Sequence, residues 1–301
     1  MCSVVRCGIA IAIVALAAGS ASAWSMAGHM ATGALAYRVL KQDSPATVGK
    51  VVTLLKKHPY YEEKWKAKLE DLADDEDQDE YLFMLAARWA DDARGDERFY
   101  PEGGHVDSIH YINLPFKPEG QPATVQTAPE DQINILRGYA EAFKTLSDAN
   151  AEDVKRAVAL CWVLHLIGDA HQPLHTTALF TETFQLKDHG KLVGDRGGTW
   201  FFVRANPKSQ NGDSLHHIWD GFLTSKVKYR ENRNAVIALM DQPEHAAAKF
   251  EDELQVKDFE KWVSASYDLA KKSVYYHDGQ LLKGGTTKAT PQDLPEGYIK
   301  A

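Results

Sequence analysis

The chain has 301 residues, with 34 Lys and Arg against 42 Asp and Glu, a net charge of −8, and an apolar fraction of 44%. This length fits one large domain or two small ones. The acidic balance argues against a protein that coats duplex DNA through a broad basic surface, but it does not exclude an enzyme that grips a phosphate through metal ions.

The first 23 residues have the pattern of a secretory signal peptide. Arg6 supplies the positive charge, Gly8 to Ala18 the apolar region, and Ala21-Ser22-Ala23 the small-residue cleavage site. Because the apolar region is too short to span a bilayer, we expect cleavage after Ala23 rather than a retained anchor. Trp24 would then be the first residue of a secreted or periplasmic protein without a membrane anchor.

Removing the leader changes the charge and the cysteine content. It removes Arg6 and no acid, which leaves 33 basic against 42 acidic residues and a net charge of −9. Cys2 and Cys7 leave as well, so Cys161 remains alone and no internal disulfide is expected.

Residues 24–301 are expected to form one mostly α domain, because they contain no Gly/Ser/Pro-rich linker, no internal repeat and no pattern of a large sheet. The predicted helices are, in chain order, His29 to about Lys41, Pro45 to about Lys57 with Ser44 as N-cap, Tyr81–Arg94, Pro129–Leu146, Glu152–Ala170, a helix carrying Leu215 to Asp220, and stretches near 232–250 and 257–275. The acid-rich segment Glu70–Glu80 predicts a solvated loop or helix end. A short hairpin is expected around Thr199–Val203, within a Gly- and Thr-rich insertion at 177–212.

The long apolar helix Glu152–Ala170 and its exit carry the sequence His165-Leu-Ile-Gly-Asp169-Ala-His171-Gln-Pro-Leu-His175. Residues four apart share one face of a helix, so His165 and Asp169 can bind one zinc ion. The proline ends the helix and places His175 on the exit loop. A single His-x-x-x-Asp pair would be a chance polar stripe on a helix about as often as a metal site. Here, however, three histidines and an aspartate interrupt a buried segment, where unpaired polar groups are costly, so a metal site is favoured.

Further groups of this kind are spread along the chain. His216 and Asp220 repeat the four-residue spacing, Asp91 follows an apolar helix face, and His110 stands alone. Taken singly, His110 is more often a buried core histidine and Asp91 a helix-end carboxylate. At the expected new amino end, a freed α-amine five residues before His29 is a good metal ligand, because its ordinary pKa is roughly 8. Together these groups indicate a metal centre.

In this order, the motifs Trp-x4-His, Trp-Ala-Asp, His-Tyr-Ile-Asn, His-x3-Asp-x-His-Gln-Pro-Leu-His and Leu-His-x2-Trp-Asp resemble the zinc-dependent nucleases of the S1/P1 family, whose distant relatives are the bacterial zinc phospholipases C. The resemblance covers essentially the whole mature chain. It implies a helical domain with three zinc ions in a cleft, which hydrolyses single-stranded DNA and RNA to 5′-nucleotides. Many members also act on 3′-nucleotides.

The resemblance also implies which residues hold each ion. The first set is Asp91, His110, His165 and Asp169. The second is the amine and carbonyl of Trp24, the ring of His29 and the other oxygen of Asp169, so that Asp169 bridges two ions that activate the attacking water. The third is His175, His216 and Asp220. Arg94 matches the family's phosphate-contacting arginine, whose planar cation suits a phosphate.

Two positions depart from the family pattern. Fungal members carry Asp where this chain has Asn113, and that carboxylate is implied to orient or deprotonate the attacking water. Asn113 can hydrogen-bond but cannot take a proton, so either no such base is needed or Asp92 or another group serves. The segment Asp195-Arg196-Gly197-Gly198-Thr199 resembles the family's Asp-Arg-Gly-Gly-Asn, which helps to seat a nucleobase, and the Thr leaves base preference open.

Three further residues have two interpretations each. His171 and His217 either support the ligands through hydrogen bonds or are simply polar. Tyr111 either stacks on a base or packs in the core.

Two other functions fit the ligand set less well. Zinc phospholipases C end with a His/Glu pair rather than His216/Asp220, and no hydrophobic membrane-docking stretch is evident. Non-catalytic zinc storage in the periplasm tends to use flexible His-rich tracts, whereas dispersed ligands require a folded cage. We therefore expect a nuclease that acts as a monomer on single-stranded DNA, RNA and 3′-nucleotides.

Overall fold

The computed structural model describes residues 24–101 and 106–299. The predicted leader, residues 1–23, lies outside the described residues and stays a prediction. Within the described part the chain is mostly α, as expected. Its α-helices are α1 (Met26–Asp43), α2 (Pro45–Leu55), α3 (Lys66–Glu70), α4 (Asp75–Asp92), α5 (Ile135–Ser147), α6 (Asp153–Ala170), α7 (Leu215–Asp220), α8 (Tyr229–Met240), α9 (Glu251–Gln255) and α10 (Phe259–Leu269).

Short 3-10 and π segments extend or connect these helices. The 3-10 turns are Val106–His110, Pro173–His175, Pro243–His245 and Ala247–Lys249, and the π segments are Tyr61–Trp65 and Ala270–Val274. No helix in the described ranges has both the length and the apolar character needed to cross a bilayer.

The strands are two or three residues long and form small sheets at the edge of the helices. They are β1 (Leu114–Phe116), β2 (Thr177–Leu179), β3 (Lys187–Asp188), β4 (Lys191–Leu192), β5 (Phe202–Arg204), β6 (Asp213–Ser214), β7 (Tyr276–His277), β8 (Gln280–Leu281) and β9 (Gln292–Asp293). β1 pairs in parallel with β2, and β5 lies between antiparallel β6 and parallel β9. β3 pairs with β4 and β7 with β8, both antiparallel.

Helices α1, α4 and α6 pack together and form the frame on which the functional residues stand. The predicted buried face of α4 is confirmed, since Leu82, Leu85, Ala86 and Trp89 are fully buried. α1 approaches α4 closely because Gly33 has no side chain: a Cβ there would lie 2.6 Å from the carbonyl oxygen of Phe83. A second core around Leu174, Phe201, Val203 and Tyr275 holds the exit from α6 against the C-terminal segments.

The acid-rich segment Glu70–Glu80 was expected to be a solvated loop or helix end, and this is confirmed except at its last residue, since residues 75–79 are the exposed or half-buried start of α4 and only Glu80 is buried. α4 begins at Asp75, where the Asp74 side chain accepts a hydrogen bond from the Glu76 backbone N–H and acids in the first turn favour the helix dipole. Glu80 is buried, because it accepts hydrogen bonds from Arg38 on α1 and Arg233 on α8.

Several predicted boundaries also move. α5 begins only at Ile135, where Asn134 caps it, and α8 ends at Met240 before 3-10 turns. α10 is continued by the π segment Ala270–Val274. The hairpin expected around Thr199–Val203 corresponds to β5 and its antiparallel partner β6, but it begins three residues later, at Phe202, because Thr199 lies in a turn. Ser44 precedes α2 as predicted but makes no side-chain cap bond, since its hydroxyl pairs with the Thr47 hydroxyl at 2.7 Å.

Candidate metal centre

Asp169, near the end of α6, is the centre of the site. Its side chain is fully buried and touches imidazoles from three elements. Oδ2 lies 3.2 Å from His165 Nε2, one turn earlier on the same helix, and 3.1 Å from His110 Nδ1. Oδ1 lies 3.3 Å from Nε2 of His29 on α1. The four-residue spacing therefore converges as the sequence predicts, and His29 and His110 join the pair.

Three groups of side chains could each hold a metal ion, with their ligand atoms within 4.8 Å of one another. They are His29, His165 and Asp169; Asp91, His110 and His165; and His175, His216 and Asp220. These groups contain every side chain that the resemblance implies as a ligand. Their roles as ligands stay predictions, whereas their convergence is a feature of the structure.

In four of the imidazoles, one ring nitrogen hydrogen-bonds to the surrounding protein and the other faces one of the metal-binding groups. Nδ1 of His165 donates to the Ala87 carbonyl at 2.8 Å, and Nδ1 of His175 donates to the His110 carbonyl at 2.9 Å. Nδ1 of His216 donates to the Gly197 carbonyl at 2.6 Å. Because a carbonyl can only accept, each ring carries its proton on Nδ1 and presents the lone pair of Nε2.

His110 is held the other way round by Tyr100. The Tyr100 hydroxyl donates to the Ala90 carbonyl at 2.8 Å, so it must accept from His110 Nε2 at 3.0 Å. His110 thus presents the lone pair of Nδ1, which lies 3.0 Å from Nε2 of His165. Ordering of the non-ligating nitrogen in this way is typical of metal-binding histidines.

The donor set fits zinc on this geometry. Lone pairs of His110 and His165 and the oxygens of Asp169 face one another at hydrogen-bond distances, which is stable only around a cation. A proton can serve two of these atoms, but a metal ion can serve all of them. Asp91 Oδ2 and His29 Nδ1 are buried and make no hydrogen bond with any described residue, while His29 Nε2 faces Asp169 Oδ1 at 3.3 Å. Nitrogen and carboxylate ligands of this kind are those that zinc prefers.

Electrostatics place Asp169, His29, His110 and His175 in the forms that bind metal. At His165 burial lowers the pKa, but the Asp169 carboxylate raises it more, so the pKa of this imidazole lies above its ordinary value. Burial raises the pKa of Asp169, but His165, His110 and His29 lower it more, so its pKa stays well below the ordinary value. Burial lowers the pKa of His175 to about 3 and also lowers the pKa of His29 and His110. Neutral imidazoles and an ionised carboxylate are the states required of metal ligands.

The third group lies where the exit from α6 meets α7. His175 Nε2 and His216 Nε2 are 3.1 Å apart, and Asp220 lies 3.6 Å from His216 and 3.9 Å from His175. Burial raises the pKa of Asp220 to about 6. Gln172, which is fully buried, donates from Nε2 to Asp220 Oδ1 at 2.7 Å and so fixes the carboxylate.

Trp24 lies between the two ends of the site. Its indole Nε1 donates to the Gly168 carbonyl at 2.6 Å, and the next backbone N–H, of Ser25, donates to the Asp220 carbonyl at 3.1 Å. The Trp24 side chain is thereby placed against the residue that precedes Asp169, and the peptide that links Trp24 to Ser25 lies against Asp220. Its amine and carbonyl as zinc ligands stay a prediction.

A cavity opens beside the metal-binding groups and collects most of the remaining predicted residues. It is lined by Arg94, Asp107, Tyr111, Asn113, Leu174, Arg196, Gly197, Thr199 and His216. Arg94 lies 3.1 Å from Asp91 and 3.9 Å from Asp107, so its guanidinium is held at the rim of the site. Tyr111 is half-buried at this cavity rather than packed in the core. Asp92 is turned away, because its carboxylate accepts from Arg88 at 2.6 and 2.8 Å.

Two predicted histidines do not reach the site, and two other residues that contact ligands were not predicted. His171 is exposed and bonds the Ile167 carbonyl, and His217 is exposed beside Asp213, so both are simply polar. Gln172 could have been suspected from its place inside the His171–His175 motif. Tyr100 has no such signal, because its contact with His110 depends on how the chain folds after α4.

A comparison with protein families gives one match that covers nearly the whole chain. The family model described as S1/P1 Nuclease matches residues 24–301. A comparison with curated protein sequences gave no match.

Proposed function

Because this chain belongs to the S1/P1 nuclease family, a family of zinc-dependent hydrolases of phosphodiester bonds, we propose that it cleaves single-stranded DNA and RNA to 5′-nucleotides. We also propose that it removes the phosphate of 3′-nucleotides and that it works with three zinc ions. The observation that carries the proposal is the set of oriented imidazoles that converge with Asp169 and Asp220 beside a cavity lined by Arg94 and Asn113.

Each ion has a proposed set of ligands. The first ion would be held by Asp91, His110, His165 and Asp169, and the third by His175, His216 and Asp220. The second would be held by His29, Asp169 and the amine and carbonyl of Trp24. Bound zinc would supply Lewis acidity toward the phosphate and lower the pKa of a water molecule at the site.

The residues of the cavity then bind and orient the phosphate. The Arg94 guanidinium offers planar donors to phosphate oxygens and stabilises negative charge that develops as the bond breaks. Asn113 lines the same cavity and can orient the attacking water through its amide, but it cannot take the proton. Asp92 is paired with Arg88 outside the cavity lining, which argues against Asp92 as the replacement for the family Asp.

Single strands suit this cavity better than a duplex does. A base must leave its stack to lie against Tyr111, and aromatic stacking of this kind tolerates any base. Thr199 and Arg196 line the same cavity and offer a hydroxyl and a cation to the nucleotide. The net charge of −8 supplies no broad basic surface on which a duplex could dock.

We further propose that the enzyme acts outside the cytoplasm, in the periplasm or after secretion, as a monomer. The proposed location rests on the leader pattern of residues 1–23 and on the role proposed for a freed Trp24 amine.

The test compares hydrolysis of single-stranded DNA, duplex DNA, RNA, a 3′-nucleotide and phosphatidylcholine by purified zinc-loaded protein. We expect rapid cleavage of both single strands, slower duplex cleavage, 5′-phosphate products, and no lipid hydrolysis. His175→Ala should abolish activity, whereas His171→Ala, which removes an exposed histidine four residues away, should not. Hydrolysis of phosphatidylcholine alone would favour the phospholipase, and zinc binding without any hydrolysis would favour storage.

A further inference from the structure

The glycine-rich segment Asp195–Thr199 is a tight loop whose shape is not fixed by a helix or a strand. Arg196, Gly197 and Gly198 have positive φ angles of 56°, 61° and 74° in succession. A Cβ at Gly197 would lie 2.5 Å from the Leu174 carbonyl oxygen, so only glycine fits against that backbone. A run of left-handed residues needs tertiary contacts to hold it.

Asp195 supplies those contacts from inside the second core. Its side chain is fully buried and accepts from the Leu179 N–H at 2.8 Å and from the Gly198 N–H at 3.1 Å. The Tyr275 hydroxyl donates to the same carboxylate at 2.7 Å. One buried carboxyl group therefore ties the loop to β2 and to the segment that follows α10.

The loop in turn holds His216. The Gly197 carbonyl accepts from His216 Nδ1 at 2.6 Å, and the His216 backbone N–H donates to the Gly198 carbonyl at 3.3 Å. His165 takes its acceptor from within α4, where helical hydrogen bonds fix the carbonyl. The acceptor of His216 has no such support, so its position depends on what holds the loop.

We propose that Asp195, assisted by Tyr275, is a positioning residue that sets the orientation of His216 and thereby the zinc affinity of the His175/His216/Asp220 group. Asp195 does not touch the metal or the substrate. It acts on His216 through Gly198 and Gly197. Tyr275, which follows α10, assists by donating a hydrogen bond to the Asp195 carboxyl group. This inference rests on the proposed function for the identity of the ion.

The test is a competition titration of zinc-loaded protein with a chelator of known affinity, counting the ions retained per chain at each free-zinc concentration. His216→Ala identifies the step of the curve that belongs to this group. Asp195→Asn leaves a single acceptor oxygen, so the side chain can no longer accept from both Leu179 and Gly198, and we expect that step to weaken about tenfold or more. Tyr275→Phe keeps the carboxylate but removes one donor, so a shift in the same direction but smaller is expected.

Glu80→Gln is the matched control. Glu80 is also a buried carboxylate, but it pairs with Arg38 and Arg233 and makes no contact with the metal-binding groups among the described residues. It should lower the melting temperature without moving any zinc step. Should Asp195→Asn fail to fold, the Tyr275→Phe curve alone decides the question.

The outcomes separate this inference from the proposed function. If His216→Ala loses one ion while the Asp195→Asn and Tyr275→Phe curves superimpose on the unmodified protein, the positioning role is overturned and the zinc assignment stands. If His216→Ala loses no ion, both the assignment and the positioning role are overturned. A shift confined to the His216 step supports both.

Discussion

Removing zinc should unfold this protein at a much lower temperature as well as inactivate it. The ligand side chains are buried and come from α1, α4, α6, α7 and the segments between them, so the ions would tie these elements together. With free zinc at about 100 times its dissociation constant, each ion stabilises the folded state by about 2.7 kcal/mol, and three stabilise it by about 8 kcal/mol. For a domain of this size that corresponds to a fall of roughly 15–30 °C on chelation.

Asp169→Asn should imitate chelation by a single change. The substitution keeps the volume of a fully buried side chain but removes a charge that faces His29, His110 and His165 at 3.3 Å or less. We expect the loss of at least one ion and of nearly all activity. His165→Ala should be less severe, because Asp169 is proposed to serve two ions.

The measurement is calorimetric melting with and without chelator, followed by zinc re-addition, with zinc counted in each sample. His171→Ala serves as the control, because it changes an exposed histidine of the same motif. Active protein that holds fewer than two tightly bound zinc ions per chain, or a melting temperature unmoved by chelation, would refute the reasoning.

Four further changes test other parts of the molecule. Asn113→Ala should lower turnover only about tenfold, which is about 1.4 kcal/mol of activation barrier. Arg94→Ala should lower turnover about 10²–10³-fold. Steady-state kinetics that rank the two variants the other way would make Asn113 a necessary positioning group. A tag left ahead of Trp24 replaces its amine by an amide. Tagged protein should therefore hold one zinc ion fewer than trimmed protein and hydrolyse its substrate several orders of magnitude more slowly. Equal zinc counts and rates would exclude the amine as a zinc ligand. Burial among aromatic rings lowers the pKa of His58 to about 3. The unfolded state therefore takes up a proton near pH 6.5 that the folded state does not. The free energy of unfolding should be highest above pH 6.5 and should fall by up to about 5 kcal/mol as the pH drops toward 3. His58→Asn, which keeps an acceptor for the Tyr60 N–H, should flatten that dependence in urea titrations, and an unchanged slope would show that other groups cause it.

The sequence predicted contacts within one helix well, and contacts between elements only through the resemblance. His165 and Asp169 meet because four residues make one turn, which is a local property. His110 reaches Asp169 from 59 positions away, and no spacing rule contains that distance. The position of His110 depends on how α4, α6 and the segment between them pack. Only the order of the family motifs predicted that His110 and Asp169 would meet.

The error at Glu80 has the same origin. A local run of acidic residues predicts solvent-exposed side chains, because acidic side chains are rarely buried unless they are paired. The pairing cations, Arg38 and Arg233, lie 42 and 153 positions away and arrive with α1 and α8. Asp195 was noticed only as part of a nucleobase motif for the same reason, since its partner Tyr275 comes from near the C-terminus.

Cys161 gives the protein a built-in reporter of its own opening. It is the sole cysteine among the described residues, it is fully buried on α6, and burial raises the pKa of its thiol well above the ordinary value. It stands one helical turn before His165, so a thiol reagent can reach it only when the helix that carries His165 and Asp169 has separated from its neighbours. Pulsed labelling of this thiol, followed by mass spectrometry, would time that separation without any engineered probe, in the presence of zinc, chelator or substrate. Because Cys161 is the one cysteine within the described ranges and is free, the label would report on this thiol alone there.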